Sequence, residues 1–487
     1  MSSGAAWRLL GFGVLSVTSY VTVVILARQF GPETYGVYGL VYAVLASCEL
    51  ILRLGLPQAM IRSISRDSDR AAGIASNGTF LLVGTNLVAF GVLWLLAPAL
   101  AELLNITNGG GLLRIALLDL PCYAAYLALT AVLSGRFDFK WVGIATIVYG
   151  LSRLLAVMLL VGTGSLTIEA ALVANVLASV CGVLVILLRV GLVPIGPSRA
   201  MVSGLVALAI PISFGEVAMV LLTSMDLWLL NALDPVLAPE QRGYYVAALS
   251  LARVPNALGV VLVGVMVPML ARSRAVDPPH ETRRLVLDGN RMLMVALIPS
   301  CVIGSANAGD LLALFYSDAY VEAQRIMMLL LFSHGGFLTA LICLQGMLIA
   351  GDRSAAGGMR VYAGVGLAIV AGFVLVPGLS AVGAAAGALL ALAAATTLVA
   401  LEVRRSFGAL IEPAVLIRIV VLTLPLALLS HWWHSAGAGL IVELTVVACA
   451  YLGGCWILGL YPVQGRRRHA DSEDLRVAES PDIGQGS

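Results

Sequence analysis

Long apolar runs separated by short polar connections extend over most of the chain. A helix needs about 20 apolar residues to cross the roughly 30 Å hydrocarbon core of a bilayer, where it satisfies its own backbone hydrogen bonds. Fourteen runs meet this requirement, so the pattern predicts about fourteen membrane-spanning helices. We place them at residues 9–27, 36–57, 77–98, 112–134, 141–163, 166–188, 203–230, 243–271, 290–308, 323–350, 356–377, 380–402, 411–430 and 438–461.

The connections between the predicted spans are too short to hold an extramembrane domain. The two longest, residues 58–76 and 272–289, follow the second and the eighth spans. The first run has no small-residue cleavage site after it, so we interpret it as a membrane helix and not as a signal peptide.

The basic residues indicate an orientation. If the N-terminus is cytoplasmic, the two chain ends and the even-numbered connections hold 22 of the 29 basic residues. Because Lys and Arg concentrate on the cytoplasmic side, both termini are predicted to be cytoplasmic. The opposite side has only Arg28, Arg114, Arg242 and Arg325, and three arginines lie within spans: Arg53, Arg153 and Arg253.

The composition agrees with a membrane protein and excludes other classes. Of the 487 residues, 60% are hydrophobic and only 11% are charged, against about 25% charged residues in soluble domains. A soluble enzyme or a nucleic-acid-binding protein is therefore excluded. The seven cysteines lie in apolar runs without a Cys-x-x-Cys pair, so we expect no metal site and no cofactor. The chain has no P-loop motif, and ATP hydrolysis is not expected.

A repeated motif indicates an internal duplication. Residues 32–38 and 239–245 share the pattern P-E-x-x-G-x-Y at the start of the second and the eighth spans. Six spans separate them, so two six-helix halves would have the same orientation, which predicts a parallel repeat. We expect an all-helical membrane protein with an N-terminal lobe at 1–190, a C-terminal lobe at 191–405, two further helices at 406–462 and a disordered cytoplasmic tail at 463–487.

Several charged residues lie inside the predicted spans, where each costs at least about 2.5–3.5 kcal/mol at the bilayer centre. Arg153 and Glu216 are the deepest of these residues. Each has two interpretations: it binds a ligand, or it forms a buried ion pair or hydrogen bond that holds helices together. Glu49 and Arg53 are four residues apart, which allows an intrahelical ion pair, while Arg53 alone can also extend its side chain to the nearby cytoplasmic interface.

The sequence leaves two interpretations open at each of three further positions, Arg253, Asp119 and Asp226. The depth of Arg253 depends on whether the eighth span is continuous or begins near Pro255. Asp119 and Asp226 are candidates for a proton or sodium site, with helix capping or solvation at the interface as the alternative. We expect Glu443 to lie at a membrane interface.

Three segments resemble one transporter family. The first is Ala27–Tyr38 with its A-R-x-x-G-P-x-x-Y-G-x-Y pattern, followed by Gly55–Ala59 and Arg62. The second is Asp226–Arg272, and the third is Leu314–Arg353. Together they are similar to the polysaccharide transporter (oligosaccharide flippase) branch of the multidrug/oligosaccharidyl-lipid/polysaccharide flippase superfamily, over about residues 5–405.

The resemblance implies a function and a site. Two six-helix lobes would surround a central cavity and move undecaprenyl diphosphate-linked oligosaccharides across a bacterial inner membrane by alternating access, for lipopolysaccharide O-antigen, exopolysaccharide or capsule. Expected partners are this lipid-linked substrate, membrane lipids and a polysaccharide polymerase with export machinery. Candidates for headgroup binding are Arg153, Arg53, Arg253 and Glu49, and candidates for the coupling ion are Glu216, Asp119 and Asp226.

Other functions stay open at this point. A multidrug or cation antiporter of the same superfamily would favour carboxylates over arginines in its cavity. A membrane polysaccharide polymerase or ligase would need a long outer loop, which the sequence lacks. A lipid II flippase differs from the leading hypothesis only in its substrate. No catalytic residue is predicted, and the protein is not expected to be an enzyme.

Overall fold

The computed structural model describes residues 3–67, 69–106, 109–191, 198–234, 236–276, 278–351, 354–433, 435 and 437–460. Within these ranges the chain is almost entirely helical and contains no strand. The helices are α1 Ser3–Leu52, α2 Leu56–Arg66, α3 Ala71–Leu103, α4 Gly109–Leu117, α5 Asp119–Gly135, α6 Phe139–Gly162, α7 Ile168–Val190, α8 Arg199–Leu233, α9 Pro239–Ala252, α10 Asn256–Val276, α11 Pro279–Ala306, α12 Ala308–Phe315, α13 Gln324–Leu330, α14 Leu338–Ala350, α15 Ser354–Phe407, α16 Pro413–Trp433 and α17 Ala438–Ile457. A 3₁₀ helix, Asp318–Ala323, precedes α13, and a π-helix, Leu331–Phe337, joins α13 to α14.

Helix α1 is a hairpin that turns at Gly31, whose φ of 68° is not helical. Thr18 and Tyr42 would lie about 36 Å apart in a straight helix, at 1.5 Å per residue. Both nevertheless contact the same part of α6: Thr18 lies against Gly150, and Tyr42 is hydrogen-bonded to Arg153. The two arms of α1 are therefore the first and second predicted spans.

Helix α15 is also a hairpin, and it turns at Ser380, which has a φ of 50°. A methyl group on Gly364 would contact Ala395, and one on Gly387 would contact Ala371. These contacts pair residues symmetrically about the turn, so the two arms are antiparallel.

Twelve helical segments within the described ranges are long and apolar enough to cross a membrane. Two of them contain the hairpins of α1 and α15 and can cross twice. The predicted all-helical membrane fold with about fourteen spans is confirmed, and the exact number depends on how the hairpins are counted.

Two spans are interrupted by a short turn that starts with an arginine. Residues 53–55 separate α1 from α2, and Leu54 and Gly55 have φ values of 50° and 64° there. Residues 253–255 separate α9 from α10. The eighth span is thus broken at Pro255, which can continue neither the helix nor its hydrogen-bond ladder.

The helices form two groups that contact each other near Gly31 and again where α2 and α3 pack on α8. Helices α1–α7, the first helix group, pack mainly on each other, and so do α8–α15, the second helix group. Between them, α1 crosses α9 near Gly31 and Gly243, and we call this end the Gly31 side. The largest apolar core lies there and is built from both groups, with four fully buried tyrosines: Tyr35, Tyr245, Tyr316 and Tyr320.

Helices α16 and α17 pack on α11, outside the two groups. Glu443 of α17 is 1% exposed and accepts a 2.5 Å hydrogen bond from Ser430 of α16, which itself accepts one from Asn307. This network buries Glu443 between helices, and its position at a membrane interface stays a prediction. The lobe boundaries at 190 and 405 stay predictions, and the predicted tail at 463–487 falls outside the described residues.

Candidate functional site

Arg153 lies midway along α6 and is 6% exposed. Its Nη1 donates to the hydroxyl of Tyr42 at 3.2 Å, and its Nη2 donates to the hydroxyl of Tyr38 at 3.1 Å. The two tyrosines are one turn apart on the second arm of α1, and the guanidinium also lies 4.8 Å from the centre of the Tyr42 ring. Two hydrogen bonds and a cation–π contact therefore fix the plane of this guanidinium.

Arg53 lies in the turn between α1 and α2 and faces the same region. Its Nη2 donates to the hydroxyl of Tyr123 at 3.0 Å, and its Nε has no hydrogen-bond partner among the described residues. Tyr123 packs against Tyr126 and Tyr149, which brings an aromatic wall beside both arginines. Arg53 follows the end of α1 at Leu52, and the ion pair with Glu49 that their spacing allows is not formed within 4.0 Å.

Glu49 and Asp119 lie beside these arginines and next to each other. Asp119 at the start of α5 is fully buried and accepts a 2.5 Å hydrogen bond from the side-chain amide of Asn175. Glu49 interacts electrostatically with Asp119 and with both arginines, and one oxygen of each carboxyl group is buried without a hydrogen-bond partner among the described residues. Asp119 makes no side-chain cap to its helix, so the capping alternative does not describe it.

Asp226 and Arg253 belong to a second cluster, in the second helix group. Tyr245 donates to Asp226 Oδ2 at 2.7 Å, and His334 Nε2 lies 3.6 Å from the same oxygen. Arg253 Nη2 donates to the carbonyl oxygen of Thr223 at 2.7 Å. Asp226 is only 6% exposed, so the alternative of solvation at the membrane interface is wrong for it.

Sequence reasoning missed His334, which is fully buried in the π-helix between α13 and α14. Single-turn π-helices occur frequently at functional sites. The signal was available, since a histidine in the middle of the predicted span 323–350 must lose its hydration. A hydropathy average over 20 residues conceals one such residue.

Two contacts join the clusters across the boundary between the helix groups. Ser47 Oγ, two residues before Glu49, lies 3.3 Å from Ser224 Oγ in α8. Gln58 of α2 donates a 2.7 Å hydrogen bond to Glu216 Oε1 of α8. Ser224 is likewise two residues before Asp226, so the contact between the two serines lies close to both clusters, and Glu216 connects the two groups instead of lying inside one of them.

The three intramembrane arginines share one property. Among the described residues, no carboxylate oxygen lies within 4.0 Å of a nitrogen of Arg53, Arg153 or Arg253. The hydrogen bonds that hold them come from tyrosine hydroxyls and from a backbone carbonyl. The alternative in which Arg153 serves as half of a buried ion pair is therefore not supported by the geometry.

A multi-pass bundle of two helix groups with charged residues between them has the architecture of a membrane transporter. The lipid II flippase MurJ in an inward closed conformation has a TM-score of 0.77 to this chain at 12% identity, with 93% of this chain and 98% of that one covered. An inward-facing multidrug resistance MATE family transporter of the MOP superfamily has a TM-score of 0.65 at 15% identity, with 82% and 98% covered. A MOP superfamily transporter from Pyrococcus furiosus has a TM-score of 0.58 at 16% identity, with 83% and 94% covered.

The chain belongs to the family described as "Polysaccharide biosynthesis protein", whose family model matches residues 25–325. The predicted membership in the polysaccharide transporter branch of this flippase superfamily is confirmed. No functionally curated protein has a significant sequence match to the chain. At these low identities the structural similarities establish the fold of a flippase or multidrug transporter and not the substrate.

Proposed function

We propose that this protein is a flippase that moves undecaprenyl diphosphate-linked oligosaccharides across the bacterial inner membrane by alternating access, for O-antigen, exopolysaccharide or capsule. The observation that carries the proposal is the set of three intramembrane arginines without a carboxylate partner. In this proposal Arg53 and Arg153 bind the diphosphate from the first helix group, and Arg253 binds it from the second.

The electrostatics of the site support an anionic ligand. A buried arginine with no carboxylate in contact recovers only part of its lost hydration energy from carboxylates that lie farther away. Tyrosine hydroxyls and a carbonyl offset part of that loss, and a diphosphate would offset the rest through short charge-assisted hydrogen bonds. A guanidinium suits this ligand because its planar N–H groups match two phosphate oxygens at once.

An apolar groove beside the site supports a ligand with a lipid tail. Its volume is about 660 Å³, and it runs along α3 to Leu52, the residue before Arg53. A lipid-linked diphosphate held by Arg53 would have its apolar chain next to this groove. The groove is lined by Leu52, Phe80, Leu81, Gly84, Thr85, Val88, Ala89, Val92 and Leu93.

The proposal includes an orientation and partners. With the arginine-rich connections in the cytoplasm, both termini are cytoplasmic and the Gly31 side faces outward. The flipped product would then be delivered to a polysaccharide polymerase and the export machinery. The chain's own residues bind and move the substrate, and we assign no catalytic step to it.

A multidrug or cation antiporter is the second candidate, since a MATE transporter has the same fold. The buried acids Asp119 and Asp226 are the observation that favours it. The three arginines Arg53, Arg153 and Arg253 argue against an antiporter, because their positive charges would repel a cationic drug.

The deciding experiment is mass spectrometry of lipid-linked oligosaccharides after conditional depletion of the protein, with the leaflet assigned by enzyme access in intact spheroplasts. We expect a complete lipid-linked species to accumulate where the enzyme cannot reach it. Wild-type protein should restore access, and an Arg53→Gln, Arg153→Gln double variant should not. Arg114→Gln, which alters a partly exposed arginine over Trp94, is the matched control. A normal, accessible lipid-linked pool with raised sensitivity to cationic drugs would favour the antiporter.

A further inference from the structure

We infer that His334 and Asp226 form a proton-binding site in the second helix group, where a proton taken up by the imidazole is held against the carboxylate. The site is separate from Arg53 and Arg153, and it stands on the geometry of its own side chains. A second step, the coupling of this proton to anion binding at Arg253, rests on the proposed function.

His334 is a titratable side chain that the anion site does not use. It is fully buried in the π-helix Leu331–Phe337, which packs on α9, α11 and α15. Histidine is the side chain that ordinarily changes its charge between about pH 5 and 8. Because burial alone disfavours a charged ring, the group that faces the ring decides whether a proton can bind.

The hydrogen-bond inventory of the ring has a place for one more proton. Nε2 lies 3.6 Å from Oδ2 of Asp226. Nδ1 lies 3.2 Å from Oγ of Ser333, whose hydroxyl donates to the Leu330 carbonyl oxygen at 3.3 Å. A neutral imidazole has one N–H and donates to only one of its two neighbours, whereas an imidazolium donates to both. The protonated ring therefore pairs with Ser333 and with Asp226 at the same time.

The carboxylate of Asp226 has room for this additional donor. Its Oδ2 accepts a 2.7 Å hydrogen bond from Tyr245, and its Oδ1 is buried without a hydrogen-bond partner among the described residues. An ionised carboxylate has about four acceptor sites, so an N–H from His334 does not have to displace Tyr245. His334 Nε2 is also buried and unpartnered in the part of the chain that the structure describes. A proton on Nε2 would supply the donor that both side chains lack.

The groups packed around the ring include one other charge, that of Arg253. It follows α9 and donates to a backbone carbonyl oxygen of α8, about one turn before Asp226. The other side chains that face the π-helix from α9, α11 and α15 are uncharged: Tyr245, Cys301 and Thr396. On the ring's own span, the nearest titratable side chains are nine residues away on either side: Arg325 and Cys343. Asp226 is therefore the group whose negative charge stabilises a proton on the ring.

A proton fits this site better than sodium does. A bound metal ion needs several oxygen ligands around it, and the cavity beside Asp226 has a volume of only about 10 Å³, the space of about one water molecule. Its other lining residues are leucines, alanines, glycines and a valine, whose side chains have no oxygen. Among the residues that the structure describes, no group of three His, Cys, Asp or Glu side chains could hold a metal ion. Sodium is the alternative that the experiment has to exclude.

Counting charges gives the direction in which this proton affects an anion. With a neutral ring, Arg253 and Asp226 together have a net charge of zero, and a proton on His334 raises it to +1. A diphosphate is attracted more strongly to the protonated state, so anion binding and proton binding strengthen each other. The linkage predicts that the protein takes up protons when an anion binds at Arg253.

The first test is nuclear magnetic resonance of the purified full-length protein with isotope-labelled histidines, without any anion. The signals of His334, identified by their loss in His334→Gln, should change from neutral to imidazolium values in one pH step. The midpoint of this step should fall by at least about one pH unit in Asp226→Asn, which removes the charge in contact with the ring. It should rise in Tyr245→Phe, which removes a competing donor to the carboxylate. The exposed His280 of α11 is the control, and its signals should not respond to either substitution.

Two results would overturn the proton site. One is a ring that stays neutral over the whole pH range in which the protein is folded, with thermal unfolding followed in parallel for each variant. The other is a His334 midpoint that is the same in the wild type, in Asp226→Asn and in Tyr245→Phe. A midpoint that falls when sodium replaces potassium at constant ionic strength would show that an alkali cation occupies the site instead.

The second test measures the coupling by titration calorimetry with farnesyl diphosphate, in buffers of different ionisation enthalpy. The wild type should take up more protons per bound anion than His334→Gln does. Over the pH range of the His334 step, its affinity should fall with rising pH by at least about fivefold more than that of the variant. Protons that the ligand itself gains or loses contribute equally to both proteins, so the difference between them reports the ring. His280→Gln is the control and should behave as the wild type does.

The two tests separate this inference from the proposed function. If farnesyl diphosphate does not bind but the His334 midpoint moves in both variants as expected, the proton site stands and the proposed anion function fails. If the anion binds with the same proton uptake in the wild type and in His334→Gln, and the ring stays neutral, the flippase proposal stands and the proton site fails.

Discussion

Replacing Arg153 by lysine is expected to lower the rate of flipping at least tenfold while the protein stays folded. Tyr38 and Tyr42 accept from two different nitrogens of the guanidinium, at 3.1 and 3.2 Å. A lysine ammonium keeps the charge but is a single point on a flexible chain, so it cannot hold both hydroxyls in one plane. A hydrogen bond to a charged group contributes about 1.5–3 kcal/mol, and about 1.4 kcal/mol corresponds to tenfold in rate.

The measurement is transport of a fluorescent lipid-linked diphosphate in proteoliposomes, with thermal unfolding followed in parallel. Arg114→Lys is the control, because Arg114 stacks on Trp94 at 4.5 Å and is partly exposed. Tyr42→Phe removes one acceptor and should give an intermediate rate. Transport by Arg153→Lys at the wild-type rate would show that the guanidinium group of Arg153 does not bind the diphosphate.

The spans were predictable because each must cover the same thickness of hydrocarbon, and a run of apolar residues records that requirement directly. The hairpin of α1 shows this well: two spans were expected around Gly31, although the chain stays locally helical except at that glycine. Glycine supplies the positive φ that reverses the chain without breaking the apolar pattern.

The pairing of side chains inside the site was not predictable in the same way. Arg153 meets tyrosines more than 100 residues away in sequence, and which side of α6 faces α1 depends on packing that hydropathy does not record. Asp226 lies in a helix of 35 residues, and its partners Tyr245 and His334 come from α9 and the π-helix. In a helix longer than the membrane requires, position along the chain does not give depth.

The repeated P-E-x-x-G-x-Y motif has a structural explanation at the contact between the helix groups. Its two glycines, Gly36 and Gly243, lie at the crossing of α1 and α9, where a methyl group on Gly36 would be 2.6 Å from the Gly243 nitrogen. The same side is closed by Arg28, which donates to the carbonyl oxygens of Leu314 and Phe315. The duplicated motif therefore places both glycines where the two groups must approach most closely.

Replacing Gly243 by alanine is expected to open the Gly31 side. The new methyl group would overlap the carbonyl oxygen of Pro32, and backbone atoms cannot move aside as a flexible side chain can. Overpacking of this kind costs about 1–3 kcal/mol, so the ratio of open to closed molecules should rise by roughly 5- to 150-fold, since about 1.4 kcal/mol is tenfold.

The measurement is the labelling of Ser47→Cys, in a background without the seven native cysteines, by a membrane-impermeant thiol reagent added outside. Ser47 is 3% exposed between the helix groups, so it should react slowly in the parent and much faster with Gly243→Ala. Gly264→Ala in α10 is the control, because its methyl group would meet no atom within 4 Å. Both substitutions raise helix propensity by up to about 1 kcal/mol. A difference in labelling rate between the two variants therefore reports the effect of the α1–α9 contact alone. Equal labelling of the two variants would mean that the α1–α9 contact does not keep this side closed.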